Sequence, residues 1–184
     1  MSIETDSLIW LFPIMFMLHD FEELLLFEPW LKKNADEIRA RIKDRFPAFL
    51  VKQIDAVLIK STIEFVLPIS LIFGMTFVSS FLAVEYNAYG FFLLASGAFF
   101  LHGFMHVGQA IVLRRYIPAV FSSVLIVIPY GLVLYQRLTE EGIVDMQGLL
   151  IYFLCAVTLV IPFILIMHKA GDYLYRKTVR LLID

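Results

Sequence analysis

Residues 62–84 read TIEFVLPISLIFGMTFVSSFLAV, an apolar run in which Glu64 is the only charged residue. A helix that crosses the hydrocarbon core of a bilayer needs about 20 mostly apolar residues. Further windows of this kind are Ser7–Phe27, Ala88–Leu113, Ile117–Gln136 and Gly148–Met167. Backbone groups in lipid must be hydrogen-bonded within their own segment, so each window predicts a helix. The sequence therefore predicts an all-α, polytopic membrane bundle of five transmembrane helices.

The composition of the whole chain agrees with a membrane protein. Of its 184 residues, 60% are hydrophobic and 17% are charged, with a mean hydropathy of +0.83. Soluble domains are about 45–50% apolar and about 25% charged. The net charge of −2 and the single cysteine make a nucleic-acid-binding module or a disulfide-stabilised scaffold a poor fit. We expect one integral membrane domain over residues 1–184, in the plasma membrane or, in a bacterium, the inner membrane.

The positions of the basic residues predict how the helices are oriented. Cytoplasmic segments of membrane proteins are enriched in Lys and Arg. If the N-terminus lies outside, all of the 15 Lys and Arg residues except Arg137 fall on the cytoplasmic side. The first window follows Glu4 and Asp6 rather than a basic segment, so we interpret it as a span and not as a signal peptide. The prediction is five spans, with the N-terminus outside and the C-terminus in the cytoplasm.

The long connection Glu28–Ser61 is predicted to contain a cytoplasmic amphipathic helix. Asn34 followed by Glu37 resembles the N-cap of a helix, and Ile38 and Ile42 recur one turn apart among basic side chains. The simplest interpretation is a helix that lies on anionic lipid. A lid or a helix that docks a partner is the alternative.

The first window contains an unusual polar segment, His19-Asp20-Phe21-Glu22-Glu23. Ionisable residues at mid-membrane cost about 2.5–3.5 kcal/mol each, so they are functional candidates by default. At about 100° per residue, Glu23 lies about 40° round the helix from His19 and Glu22 about 60° the other way. His19 and both glutamates therefore share one face, with Asp20 at its edge.

Polar residues in the second and third windows are predicted to meet this face. His102 and His106 have the i, i+4 spacing that presents two imidazoles to one metal ion. Glu64 precedes Pro68, which has no N–H to donate to the carbonyl of Glu64. In the predicted orientation, His19 and His106 both lie about 12 Å from the cytoplasmic edge, from the rise per residue. Three helices thus bring carboxylates and imidazoles into one layer.

These residues resemble the HXXEE family of membrane proteins, whose pattern combines H-x-x-E-E, a further histidine and a Y-x-P-G element. The chain has these elements in order, as HDFEE at 19–23, His106 (with His102 as the alternative) and YIPA at 116–119. Ala119 stands where the family has glycine, and Pro118 suits the start of a helix. The resemblance extends from the first helix to the fourth. It implies a site but no established activity.

The residues themselves favour a metal-dependent membrane enzyme. His19, His102 and His106 are predicted as imidazole ligands, with Glu22 or Glu23 completing the set and the other glutamate acting as a general base or as a ligand to a second metal. Nitrogen and oxygen ligands without sulfur suit zinc, or iron if two histidines and one carboxylate leave open positions. Zinc would activate water to attack a carbonyl or a phosphate. The depth of the site favours a lipidic or isoprenoid-like substrate that enters from the membrane.

Two other interpretations remain open. In a metal-free isomerase or cyclase of a sterol- or terpene-like substrate, the catalytic glutamates Glu22, Glu23 and Glu64 would be proton donors, and a histidine would be the base or proton shuttle. A proton or metal-ion transporter ranks third, because five helices leave little room for a pore. We expect no histidine near Ser122 or Ser123, which argues against a serine nucleophile. Membrane lipid and a hydrophobic small molecule are the expected partners, and the oligomeric state is left open.

Overall fold

The computed structural model describes residues 4–43, 47–58 and 62–183, and within these ranges the chain is helical and has no β-strand. The all-α prediction is therefore confirmed for the part of the chain described. The helices are α1 (Thr5–Ile42), α2 (Ala48–Leu58), α3 (Thr62–Tyr86), α4 (Tyr89–Leu113), α5 (Val120–Glu140, with a π-helical turn at Ser123–Val127) and α6 (Met146–Ile183).

Three of these helices, α3, α4 and α5, are long and apolar enough to cross a membrane. Helix α6 becomes a fourth if its arms Met146–Val160 and Pro162–Thr178, which are bent by 42°, are counted as one span. Helix α1 is not among them, because the polar segment at 19–23 interrupts its apolar run. Large apolar side chains cover the outside of the bundle, as at Val112 and Leu125, which are 76% and 58% exposed. The molecule is consistent with a membrane protein, and the count of five spans stays a prediction.

Helix α1 is longer than the sequence indicates. It continues for 38 residues and passes through Pro29, so the expectation of a new helix capped by Asn34 is wrong. The Asn34 side chain instead donates a hydrogen bond to the carbonyl of Trp30, at 2.7 Å within the same helix. Leu31 and Asn34 are buried and α1 packs against α2, so tertiary contacts sustain the helix beyond its apolar part. A separate helix does lie in the predicted connection, but it begins only at Ala48.

Helix α1 is held at the centre of the bundle by α3 and α5. It packs most extensively against α3, while α6 covers α3 and α4. The Ser80 hydroxyl on α3 donates to the carbonyl of Ile9 at 2.9 Å, and the Tyr130 hydroxyl on α5 donates to that of Leu8 at 2.9 Å. Phe12, on the next turn of α1, is fully buried. These contacts position the polar segment of α1 between α3, α4 and α5.

Candidate metal centre

Four side chains that the sequence singled out lie together in the bundle: His19 and Glu23 from α1, and His102 and His106 from α4. Each offers one ligand atom, and these atoms all lie within 4.8 Å of one another. The Nε2 atoms of His102 and His106 are 2.8 Å apart, so the i, i+4 spacing does place the two imidazoles side by side. His19 is fully buried and His106 nearly so. Such a group can hold a metal ion.

The hydrogen bonds of His19 determine which of its ring nitrogens faces the group. The Ser122 hydroxyl donates to the carbonyl of Ala119 at 3.3 Å and lies 3.0 Å from His19 Nδ1. When the imidazole proton of His19 is on Nδ1, that nitrogen donates to the Ser122 hydroxyl, which has the carbonyl of Ala119 as an acceptor for its own proton. His19 Nε2 then carries a lone pair. This atom is buried and has no hydrogen-bond partner among the described residues, which suits a metal ligand.

Glu22 lies outside the group, although it is adjacent to Glu23. Its carboxylate accepts hydrogen bonds from the Tyr116 hydroxyl at 2.6 Å and from the backbone N–H of Ser122 at 2.7 Å, with the N–H of Phe121 at 3.4 Å. An anionic side chain is stabilised at the N-terminus of a helix, where backbone N–H groups are free. The two neighbouring acids therefore have different surroundings. Glu23 joins the histidines, and Glu22 fixes the start of α5.

The turn before α5 explains how the Tyr-x-Pro element takes part in the site. Ala119 has φ +68° and ψ −2°, in the left-handed region that L-residues occupy at a cost of roughly 1–2 kcal/mol. Glycine would adopt this conformation without that cost, which accounts for the glycine of the family pattern. The carbonyl of Ala119 accepts from both Ser122 and Ser123, the latter at 2.6 Å. The strained residue thus aligns the hydroxyl that contacts His19.

Ser122 is the site residue that the sequence did not reveal. The expectation of no histidine near it is wrong, because Ser122 Oγ lies 3.0 Å from His19 Nδ1. The same hydroxyl also lies 3.3 Å from the carbonyl of Ala119. The only feature of the sequence that pointed to Ser122 was the glycine that the family pattern has at the position of Ala119. A glycine there indicates a sharp turn, and this turn directs α5 into the bundle.

Glu64, the third predicted catalytic acid, lies in the first turn of α3 and outside the group of four. Helix α3 continues through Pro68. The catalytic role of Glu64 therefore stays a prediction.

The second half of α1, from Trp30 to Glu37, holds the connection between α4 and α5. Trp30 Nε1 donates to the carbonyl of Tyr116 at 2.8 Å. Arg115 donates to Asn34 Oδ1 at 2.7 Å and to Glu37 Oε1 at 2.6 Å. The hydrogen bond from Arg115 holds the pKa of Glu37 below its ordinary value, whereas burial, with Glu22 nearby, raises the pKa of the Tyr116 hydroxyl. The segment that carries Tyr116 is thus held by the second half of α1 as well as by Glu22.

An apolar cavity of about 570 Å³ lies between α1, α3, α4 and α6 and reaches the group at Glu23 and His102. Ligand pockets commonly measure about 300–1,000 Å³. On the α6 wall, Leu159 and Ile166 are 49% and 58% exposed, so the cavity lies just beneath the side of the bundle. Phe16 and Phe99 line it next to the histidines. The arrangement combines a cluster of potential metal ligands with space for an apolar molecule.

Comparison with known proteins places the chain in a family. Residues 10–134 match the family described as "Protein of unknown function with HXXEE motif". No curated protein and no solved structure matches the chain. The matched range contains the polar segment of α1, both histidines of α4 and the turn that leads into α5. The chain therefore belongs to the HXXEE family of proteins of unknown function.

Proposed function

We propose that this chain is an integral membrane metalloenzyme that acts on a lipidic or isoprenoid-like substrate. The observation that carries the proposal is the group of three imidazoles and one carboxylate, within 4.8 Å of one another, at the end of an apolar cavity. In the topology that we propose, five spans with the N-terminus outside, this group lies in the cytoplasmic half of the bundle.

The donor set favours zinc. Three histidines and one carboxylate, without sulfur, are ligands that zinc accepts, and iron is the alternative when two histidines and one carboxylate bind. His19, His102, His106 and Glu23 are the residues that would hold the ion. A divalent metal in this position supplies Lewis acidity and activates water near neutral pH. The orphaned Nε2 of His19 supports this assignment independently of the distances.

The chain's own residues account for the remaining requirements of a lipid hydrolase. Ser122 would accept from Nδ1–H of His19 when Nε2 binds a metal, and Glu22 holds Ser122 through its backbone N–H. The walls of the cavity are apolar except at Thr76 and at the polar end, where Asp20, Glu23 and His102 lie. A substrate bound with its chain along these walls would present its polar head to the group. Hydrolysis or a related metal-assisted reaction of that head is the chemistry that we propose.

A metal-free acid–base enzyme is the second candidate, because one contact favours it. The 2.8 Å separation of the His102 and His106 Nε2 atoms is also the distance of a direct imidazole–imidazole hydrogen bond. An isomerase or cyclase would use Glu23 and this histidine pair for proton transfer. Transport remains the third interpretation.

Elemental analysis of the detergent-purified protein tests the proposal. We expect stoichiometric zinc or iron in the wild type, loss of the metal in Glu23→Gln and His106→Ala, and retention in Glu22→Gln. The two glutamine variants are matched, because they change adjacent residues in the same isosteric way. A folded wild-type protein that takes up neither metal, or equal retention in both glutamine variants, would overturn the proposal. A metal-free protein whose lipid-converting activity is lost in Glu23→Gln would favour the acid–base enzyme.

A further inference from the structure

The cavity beside the proposed metal centre runs lengthwise along the helices. Its wall extends from Glu23 to Phe12 on α1 and from His102 to Phe91 on α4. Each of these stretches is about 16 Å long, from the rise per residue. Away from the end that contains Glu23 and His102, the only polar residue of the wall is Thr76. A molecule bound along the cavity is therefore in apolar surroundings over most of its length.

The end of the cavity that is remote from the histidines is closed by contacts between the helices. The Ser80 hydroxyl on α3 donates to the carbonyl of Ile9, which lies on α1 in the turn beyond Phe12. A Cβ atom added to Gly90 on α4 would lie 3.4 Å from the Tyr152 hydroxyl on α6, so these two helices also pack closely there. Helices α3 and α4 are joined at this end by a connection of two residues, so they cannot separate. A chain that extends from the polar end thus meets a closed end after about 16 Å.

We propose that the cavity binds a lipid with a single hydrocarbon chain and that its closed end limits the length of that chain. An extended chain advances about 1.25 Å per C–C bond, from ordinary bond lengths and angles, so about 13 carbons fit between the polar end and the closed end. The placement of the head beside the histidines rests on the proposed function, whereas the length limit is a property of the cavity itself. The chain, and not the head, is what the closed end selects.

The fit of the chain, and not its hydrophobicity, decides which length binds best. A chain in the bilayer is already in apolar surroundings, because lipid tails are as apolar as leucine side chains. A chain that is too short leaves part of the cavity empty, which forfeits packing contacts. A chain that is too long must bend or displace side chains at the closed end, and overfilling a packed interior is also unfavourable. Both deviations weaken binding.

The volume of the cavity favours one chain over two. It measures about 570 Å³, within the range of about 300–1,000 Å³ that is usual for a pocket holding one small ligand. A lipid with two chains of the preferred length would have to leave one of them outside the cavity. A monoacyl or prenyl lipid therefore fits better than a phospholipid or a diacylglycerol of the surrounding bilayer.

Competition with a fluorescent alkyl probe in neutral detergent tests the inference. The competitors are octanol, dodecanol, tetradecanol, hexadecanol and eicosanol, with the corresponding carboxylic acids, compared at equal mole fraction in the micelle. We expect the tightest binding between dodecanol and hexadecanol, with eicosanol weaker by about fivefold or more because it overfills the cavity. The acids should show the same preferred length, because the limit lies at the end remote from the head. Equal binding at all lengths, or a different preferred length in the two series, would overturn the inference.

A matched pair of glycerides tests whether one chain is bound. Monomyristoylglycerol and dimyristoylglycerol carry the same acyl chain and differ in the number of chains. We expect the monoacyl lipid to displace the probe more strongly. Equal displacement, or stronger displacement by the diacyl lipid, would refute the assignment to single-chain lipids.

Substitutions along the wall make the test specific. Ala98→Phe and Ala95→Phe add a ring about 6 Å and about 10 Å from His102 along α4, so both should shorten the preferred chain, Ala98→Phe the more strongly. Phe91→Ala removes a ring from the closed end and should strengthen the binding of eicosanol, a gain that a folding defect cannot produce. Gly74→Phe is the control, because an added Cβ atom there meets nothing within 4 Å. If the preferred length is the same in all four variants, the closed end does not select the chain.

The experiments are carried out on chelator-treated and on zinc-loaded protein, which separates this inference from the proposed function. A length limit in a protein that never binds metal would refute the metalloenzyme and leave the lipid site intact. Stoichiometric metal without any preference for chain length would do the reverse.

Discussion

Replacing Ser122 by alanine should weaken metal binding although Ser122 is not a ligand. The substitution removes the acceptor for His19 Nδ1–H, which lies 3.0 Å away in a buried environment. In the metal-bound state the Nδ1 proton must remain, because Nε2 is occupied, so the N–H is left without a partner. In the metal-free state the imidazole can change tautomer or rotate and avoid this cost. The penalty therefore falls on the bound state.

The size of the effect follows from the cost of one unpaired buried donor. That cost is about 1–3 kcal/mol. A free-energy penalty of this size raises the Kd for the metal by about 5-fold to 150-fold. Substitution of residues that orient metal-ligating histidines typically weakens affinity by about 10–100-fold, in the same range.

Competition between the protein and a chromogenic zinc chelator, in detergent at neutral pH, measures the change. Ser123→Ala is the matched control, because Ser123 is buried and donates to the same carbonyl of Ala119 but is not hydrogen-bonded to His19. Both variants lose a hydrogen bond in the turn, and only Ser122→Ala should lose metal affinity. If the two variants bind zinc with equal affinity, the assignment of Ser122 as the residue that positions His19 is incorrect.

Two further predictions concern the elements that hold the site in place. Ala119→Gly should raise the free energy of unfolding by up to about 1 kcal/mol, because relief of the left-handed strain exceeds the entropy cost of glycine. Thermal unfolding measures this change. The control Ala83→Gly, within α3, should lower the free energy of unfolding instead. The hydrogen bond from Lys32, together with the N–H of Thr62, lowers the pKa of Glu28 from 4.5 to about 2. The stabilisation by Glu28 is therefore complete above pH 4.5 and is lost as the pH falls toward 2. Glu28→Gln should flatten the plot of unfolding free energy against pH over that interval. An unchanged plot would contradict the link between α1 and α3.

The sequence closely predicted two of the helices that are long and apolar enough to cross a membrane, because a bilayer would impose their length. The predicted windows 62–84 and 88–113 correspond to the helices Thr62–Tyr86 and Tyr89–Leu113. The length of α1 was not predictable in the same way. Pro29 and Asn34 are residues that commonly occur at helix ends, and only the burial of Leu31 and Asn34 shows that tertiary contacts outweigh their local preference.

The site was predictable as a set of residues but not as a division of roles. Glu22 and Glu23 both lie on the face of His19, so helical geometry alone could not distinguish a metal ligand from an anchor. The distinction depends on the turn at Ala119, which brings the N–H of Ser122 to Glu22. That turn uses a conformation that alanine disfavours, and the sequence gives no local indication of it apart from the family pattern.

The second half of α1 connects the surface of the molecule to the buried group of histidines. The ion pair between Arg115 and Glu37 is partly exposed, and the neighbouring Tyr116 is bonded to Glu22, which in turn holds Ser122 against His19. Dissolved salt screens exposed ion pairs but reaches buried ones far less. Through this series of contacts, we expect ionic strength to act on the position of His19, although His19 itself is fully buried.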